Sequence, residues 1–190
     1  MNICVYGASS QAIDKKYISA VEKLGEEMAL RNHSLVFGGG TNGLMGAVVR
    51  GLQRKGGKCV GIAPTFFDAP GILHQTCDEF IFTNTMRERK QLMEDRSDGF
   101  IMVPGGIGTL EEFFEILTLK QLKQHDKPIA VFNVDGYFDD LESMIKKAFR
   151  EGFMREGSDN LYKSFDETSA LLDYFPRFSR RQQHHPSINA

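Results

Sequence analysis

Gly99-Phe100-Ile101-Met102-Val103-Pro104-Gly105-Gly106-Ile107-Gly108-Thr109-Leu110-Glu111-Glu112 is the stretch whose reading decides the fold. Its first five residues are an apolar run long enough for a buried strand, and residues 113–123 behind it are long and amphipathic enough for a helix. The reading is therefore strand, glycine loop, helix. Three glycines within four residues permit positive φ and leave no Cβ between the main chain and a ligand. A helix starting near Thr109 aims unpaired N–H groups at the same spot. Together they make an anion site suited to a phosphate, with Gly105, Gly106, Gly108 and Thr109 as its wall.

Glu111 and Glu112 stand just past that wall, where an acid repels a phosphate and needs a reason. One reason is local: Thr109-Leu110-Glu111-Glu112 fits a capping box, with Thr109 as N-cap and Glu112 reaching back to the cap N–H, worth roughly 1 kcal/mol. The other is chemical. A carboxylate there stabilises a positive, sugar-like transition state or orients a water, as glycosidase carboxylates do.

Upstream, residues 2–8 read as the first strand, Gly7-Ala8-Ser9-Ser10 as a small-residue turn, and residues 14–31 as an amphipathic helix. Ser9 and Ser10 then fall at a strand's C-terminal end, where open α/β sheets hold ligands, although serines also serve as plain turn formers. Residues 34–37 form a second strand, followed by Gly38-Gly39-Gly40-Thr41-Asn42-Gly43-Leu44-Met45-Gly46 and a helix to about Lys55. Gly38, Gly40 and Gly43 satisfy GxGxxG in the right context, which raises a dinucleotide site. The next strand, residues 58–63, runs into Pro64-Thr65 without the acidic residue that ribose hydroxyls require. The dinucleotide reading weakens accordingly. Gly39, Gly40 and Gly43 become a further wall of a mononucleotide-sized site, or simply close strand-to-helix packing.

Residues 64–76, with Phe66 and Phe67, read as an ordered loop at the same end of the sheet, where selectivity usually resides. After a strand at residues 78–83, Asn84 or Thr85 caps a helix through Met86-Arg87-Glu88-Arg89-Lys90. Three cations at a helix start oppose the macrodipole; bound phosphate would supply the missing charge, or Glu88 and Glu94 pair with them on a solvated face. Residues 128–134 are a further strand, residues 141–151 a helix, Leu161-Tyr162 a short strand and residues 166–174 a capped helix. Alternating strands and helices with glycine turns predict a single Rossmann-like three-layer α/β domain over residues 1–176, its mainly parallel sheet covered on both faces. Residues 177–190 read as a frayed tail whose His184-His185 pair makes no metal site by itself.

The net charge of −2 argues against general nucleic-acid or membrane-surface binding, and no apolar run reaches the ~18 residues of a membrane span. Cys4, Cys59 and Cys77, an odd set without CxxC spacing, read as reduced, mostly buried thiols of a cytoplasmic protein. Met1-Asn2-Ile3 enters a strand at once, so no signal peptide is expected.

Thr85-Met86-Arg87-Glu88-Arg89-Lys90 followed by Pro104-Gly105-Gly106-Ile107-Gly108-Thr109-Leu110-Glu111-Glu112 resembles the paired signature of the LOG family of cytokinin riboside 5'-monophosphate phosphoribohydrolases, many of which carry a "possible lysine decarboxylase" label. The likeness runs from Gly7-Ala8-Ser9-Ser10 to about Tyr174. It implies hydrolysis of the N-glycosidic bond of a purine nucleoside 5'-monophosphate, AMP included, in a homodimer, with no metal or redox cofactor. On the family pattern Arg89 and Glu112 are the catalytic pair. Lys90 and the Gly105, Gly106, Gly108 and Thr109 loop match phosphate-binding positions, Glu111 a ribose-contacting one, and Met86 lies near the base. Where the commonest form has His this chain has Arg87, a departure that spares both catalytic positions. The helix with Phe113, Phe114, Ile116, Leu117 and Leu119 falls near the family's dimer interface, and equally suits ordinary core. The decarboxylase label gains nothing, because no local pattern marks a Schiff-base lysine with a partner for a pyridine nitrogen. The rival class is a non-enzymatic carrier, such as the molybdenum-cofactor carriers with this glycine-loop architecture, which does not require both Arg89 and Glu112. Single-stranded DNA binding would want a basic groove with stacking aromatics.

Overall fold

The computed structural model describes residues 1–155 and 157–175. The expected tail at residues 177–190, with His184-His185, lies outside them. The central strands are short and mostly apolar because helices cover both their faces. In chain order the strands are β1 (Asn2–Tyr6), β2 (Ser34–Phe37), β3 (Cys59–Pro64), β4 (Glu79–Thr83), β5 (Gly99–Met102), β6 (Ile129–Phe132) and β7 (Lys163–Phe165). The helices are α1 (Lys15–Leu30), α2 (Gly43–Arg54), α3 (Met86–Asp95), α4 (Ile107–Gln121), α5 (Asp139–Arg150) and α6 (Thr168–Tyr174). No described helix is long and apolar enough to cross a membrane. The last strand falls at Lys163–Phe165, two residues beyond the expected Leu161-Tyr162.

One seven-stranded sheet results, in the order β4-β3-β2-β1-β5-β6-β7, with every pairing parallel. Alternation along each strand sorts side chains into two layers. Ile3 and Val5 of β1, with Leu35 and Phe37 of β2, meet Val21, Leu24, Val48 and Leu172 from α1, α2 and α6. Cys4, Tyr6 and Val36 point the other way, against Met93 of α3 and Phe113 and Ile116 of α4. The expected three-layer α/β domain is what the chain forms.

Strand order reverses between β1 and β5. The chain leaves β1 toward β2 on one side, whereas β5 continues to β6 on the other, so the loops above these two strands diverge and open a crevice. Ala8 N donates to Pro104 O at 3.1 Å and ties the two loops at the crevice base. The glycine stretch after β5 thus stands at the switch point, where topology leaves room for a ligand.

Candidate functional site

The crevice is an open cleft of about 640 Å³. Its β5 wall is the start of α4. The helix begins at Ile107 with Gly106 as N-cap, and not at Thr109. Thr109 is therefore the third helical residue and Glu112 lies one turn further on, so the expected capping box is not formed. Ile107, Gly108 and Thr109 hold N–H groups that have no acceptor inside the helix, and no acidic residue stands in this first turn. The first turn itself therefore carries no acid to repel a phosphate, and Glu111 and Glu112 line the cleft from the next turn.

Positive φ is not what the three glycines supply: none of Gly105, Gly106 and Gly108 adopts it. They supply space. A Cβ on Gly105 would run into the Thr109 side chain, while Cβ atoms on Gly106 and Gly108 would meet nothing and project into open space. Gly106 and Gly108 line the cleft, so side chains there would fill what a ligand needs. Tyr137 Oη donates to Gly105 O at 2.9 Å and clamps the loop from the β6 side.

Arg89 of α3 and Glu112 of α4 form the cleft floor. Arg89 Nη1 donates to Glu112 Oε1 at 2.9 Å, and its Nε donates to the Ile62 carbonyl of β3 at 3.1 Å. Both side chains are nearly enclosed, 9% and 13% exposed. Burial pushes the Glu112 carboxyl above its ordinary value, against the opposing pull of Arg89. Beneath the pair lie Tyr6 and Cys4, whose hydroxyl and thiol are also pushed up, chiefly by burial, the thiol to about 12. Gly38 makes room from above, since a Cβ there would collide with the Arg89 guanidinium. Glu88 is not the expected partner of these cations: Thr85 Oγ1 accepts from Glu88 N at 3.1 Å, and Glu88 Oε2 accepts from Asn84 N at 2.8 Å. Thr85 is thus the N-cap of α3, and the Glu88 side chain folds back over the same helix start to the N–H of the residue before the cap.

The β2 side supplies no second anion cradle. Leu44 N and Met45 N, at the start of α2, both donate to Ala8 O, at 2.8 and 3.4 Å. Gly43 has φ +57° and would drive a Cβ into the Ala8 and Ser10 carbonyls. Gly39, φ +73°, turns over the Phe80 ring. Above them residues 71–74 form a strap: Thr41 N donates to Ile72 O at 2.9 Å, and His74 N to Gly39 O at 2.7 Å. Ile72 and Leu73 of the strap and Phe67 of the turn before it, with Met45 and Met86, give the cleft an apolar wall.

Of the residues singled out in the sequence, Ser9, Ser10, Gly38, Gly40, Met86, Arg89, Gly106, Gly108, Thr109, Glu111 and Glu112 line this cleft. Gly39, Gly43, Lys90 and Gly105 do not. Lys90 Nζ is held by Glu111 at 2.5 Å and by Glu115 at 2.9 Å. Asn42, Leu73 and Tyr137 were not singled out. The first two become legible only once the strap is seen to zip onto residues 39–42, a contact with no periodic signal, and Tyr137 looks like part of an ordinary turn. Among the described residues no group of three or more His, Cys, Asp or Glu side chains is placed to hold a metal.

A family model described as "Possible lysine decarboxylase" matches residues 45–175. LOG4 of Arabidopsis thaliana, a cytokinin riboside 5'-monophosphate phosphoribohydrolase, is 39% identical over 177 residues, 93% of this chain and 82% of that protein. The probable cytokinin riboside 5'-monophosphate phosphoribohydrolase LOGL9 of Oryza sativa subsp. japonica is 38% identical over 170 residues, 90% of this chain and 75% of that one. Among solved structures, the molybdenum cofactor binding protein of Rippkaea orientalis matches with a TM-score of 0.72 at 22% identity, covering 93% of this chain and 96% of that one. At that identity the likeness speaks for the fold alone.

Proposed function

The chain belongs to the "Possible lysine decarboxylase" family, in which its relatives are the LOG phosphoribohydrolases, and from that membership we propose that it hydrolyses the N-glycosidic bond of purine nucleoside 5'-monophosphates to free base and ribose 5-phosphate. Cytokinin-type nucleotides and AMP are the substrate class. The observation that carries the reading is the enclosed Arg89–Glu112 pair on the floor of a cleft whose rim is the open N-terminus of α4. Enclosing two opposite charges is a poor way to stabilise a fold, because desolvation offsets most of their attraction. In a nucleotide site the pair has a use.

As the C1'–N9 bond breaks, its electrons leave with the purine and positive charge builds on the ribose. Glu112 faces that charge as a carboxylate and steers the water that adds to C1', while the departing base gains a proton. Arg89 holds Glu112 in place and keeps it ionised against the burial that raises its pKa. The α4 N–H groups, Gly106, Gly108 and Thr109 receive the 5'-phosphate, with Ser9 on the facing loop, and Glu111 contacts the ribose. Met86, Phe67 and Ile72 form the apolar side for the base. Lys90 acts through Glu111 and Glu115, which it grips, and reaches a phosphate only by releasing them. Decarboxylase chemistry is disfavoured by the side chains present: among the described residues no lysine lines the cleft. The active form is a homodimer, for which Ile107 and Phe114 of α4 offer exposed apolar side chains.

The test is chromatographic detection of free base released from AMP and from an isopentenyladenine nucleotide, with wild type beside Glu112→Gln and Arg89→Ala. Base release by wild type, lost in both folded variants, is the expected result, and the ratio of the two substrates identifies the preferred one. Adenosine should react poorly, because remote phosphate binding supplies the positioning. Nucleotide binding without any release would replace the enzyme by a carrier.

A further inference from the structure

Cys59 opens β3, and Cys77 stands just before β4, its neighbour in the sheet. The two chains are locked together here: Asp78 N donates to Cys59 O at 3.1 Å, and Cys59 N donates to Asp78 Oδ2 at 2.9 Å. Val60 lies opposite Glu79, so Cys77 stands one residue beyond the position facing Cys59. With strands about 4.8 Å apart and a rise of about 3.3 Å per residue, the two Cα atoms are on the order of 6 Å apart, inside the ~4.4–6.8 Å that a disulfide spans.

The side chains also share a face. Cys59 lies in the layer with α1 and α2, and Cys77 packs against that same cluster. Cys77 Sγ lies 3.2 Å from where Gly61 would carry a Cβ, and Gly61 points to the same side as Cys59 two residues before it. The missing side chain at Gly61 lets the Cys77 sulfur lean toward Cys59, while the Cys77 thiol donates to the His74 carbonyl at 3.6 Å. Cys59 is buried and Cys77 half-buried, so solvent reaches one sulfur of the two. Cys4, the third thiol, is buried on the opposite face of the sheet.

We propose that Cys59 and Cys77 are a thiol pair that closes reversibly into an intrachain disulfide by exchange with a low-molecular-weight disulfide, and that this bond anchors the strap over the cleft. In the first step the Cys77 thiolate attacks one sulfur of the small disulfide, whose S–S bond breaks and releases one small thiol. Cys59 then attacks the Cys77 sulfur, forming the internal bond and expelling the second small thiol. Two protein thiols are oxidised and one disulfide is reduced. The neighbouring sulfurs hold the Cys59 pKa below and the Cys77 pKa above the ordinary thiol value, so Cys77, the sulfur that solvent reaches, attacks through a small thiolate fraction and the first step is slow.

The consequence follows from what lies between the two cysteines. Residues 65–76 run from the top of β3 back to the base of β4 and carry Phe67, Ile72 and Leu73 into the cleft. At the lower end this segment is held by Gln53 Nε2, which donates to Thr76 O at 2.6 Å, and by the Gln53–His74 contact at 3.0 Å. A covalent bond at Cys77 adds a fixed anchor directly below those contacts.

The experiment equilibrates the full chain in glutathione buffers of increasing oxidised fraction, traps free thiols with acid and an alkylating agent, and digests with trypsin. Cys59 and Cys77 lie between Lys58 and Arg87 with no trypsin site between, so the internal bond appears as one peptide lighter by two hydrogen atoms. Expected is that peptide, with Cys4 still alkylated, and severalfold slower amide hydrogen exchange across residues 65–76 in the oxidised protein. Cys77→Ser, at a half-buried position, should retain the fold and lose the bond. Two alkylated thiols, or two separate mixed disulfides, at the most oxidising ratio would overturn the pair. The same would follow if the bond formed only in urea. A bond that leaves exchange of the strap unchanged would overturn its role as an anchor.

Discussion

Arg89 and Glu112 come from different helices and meet only because α3 and α4 lie side by side on one face of the sheet. Their chemistry sets expectations for substitution and for pH at the level of single side chains. Glu112→Gln keeps shape and removes charge, so base release should fall by about a hundredfold or more, with nucleotide binding much less affected. Equal losses in kcat and in binding would point to a structural role instead. Arg89→Lys retains charge but cannot reach both Glu112 and the Ile62 carbonyl as the guanidinium does, and should lose most of the activity. A further expectation concerns pH. Burial raises the Glu112 pKa, and the reaction needs its ionised form, so the acid limb of kcat/KM should lie above the ordinary 4.5 of a glutamate. A limb at or below 4.5 would assign the acid group elsewhere.

At the level of elements, two stretches carry the same S/T-x-x-E pattern, Thr85 to Glu88 and Thr109 to Glu112, and only the first caps a helix and folds its glutamate back over the helix start. Pattern alone does not separate them. Glu88 is exposed and free to fold back on its own helix start, whereas Glu112 is drawn down by Arg89, a partner twenty-three positions away in sequence. The start of α4 differs from the expected Thr109 for a physical reason: Ile107 and Gly108 look like loop, but the bond from Leu110 N to the carbonyl of Gly106, the N-cap, makes them the start of the first turn. That placement predicts opposite outcomes for two glycines. Gly108→Ala lies inside the helix with open space beyond its Cβ, so it should hold or raise Tm while weakening use of the nucleotide by filling the cleft. Gly43→Ala, forced to φ +57° against two carbonyls, should lower stability by at least about 1–3 kcal/mol. Thermal melts with substrate titrations distinguish the two, and a Tm that moves the same way in both would contradict the assignment.

For the whole molecule, layer count, parallel pairing and the end of the sheet that holds the cleft were legible, because each rests on periodicity and on the handedness of strand crossovers. The strap and Tyr137 were not, since both depend on contacts between distant irregular segments. The same holds for His33. It sits between α1 and β2, 7% exposed, with neither ring nitrogen hydrogen-bonded, and no local pattern distinguishes it from a surface histidine. Burial, with help from the N-terminal amine and Arg31, lowers its pKa from 6.5 to about 4. Above pH 6.5 both folded and unfolded chains hold it neutral, and its full contribution is present. As pH falls toward about 4 the unfolded chain binds a proton that the fold refuses, so stability declines across that window. The loss from this one group amounts to up to on the order of 3 kcal/mol. Carboxylates titrate over the same range, so the informative quantity is the difference between wild type and His33→Leu in urea unfolding at matched pH. Wild type should lose stability relative to the variant between pH 6.5 and 4, and the two should run parallel above 6.5. Parallel curves throughout would mean that His33 finds a proton acceptor or water in the folded state, and that acid sensitivity resides in the carboxylates alone.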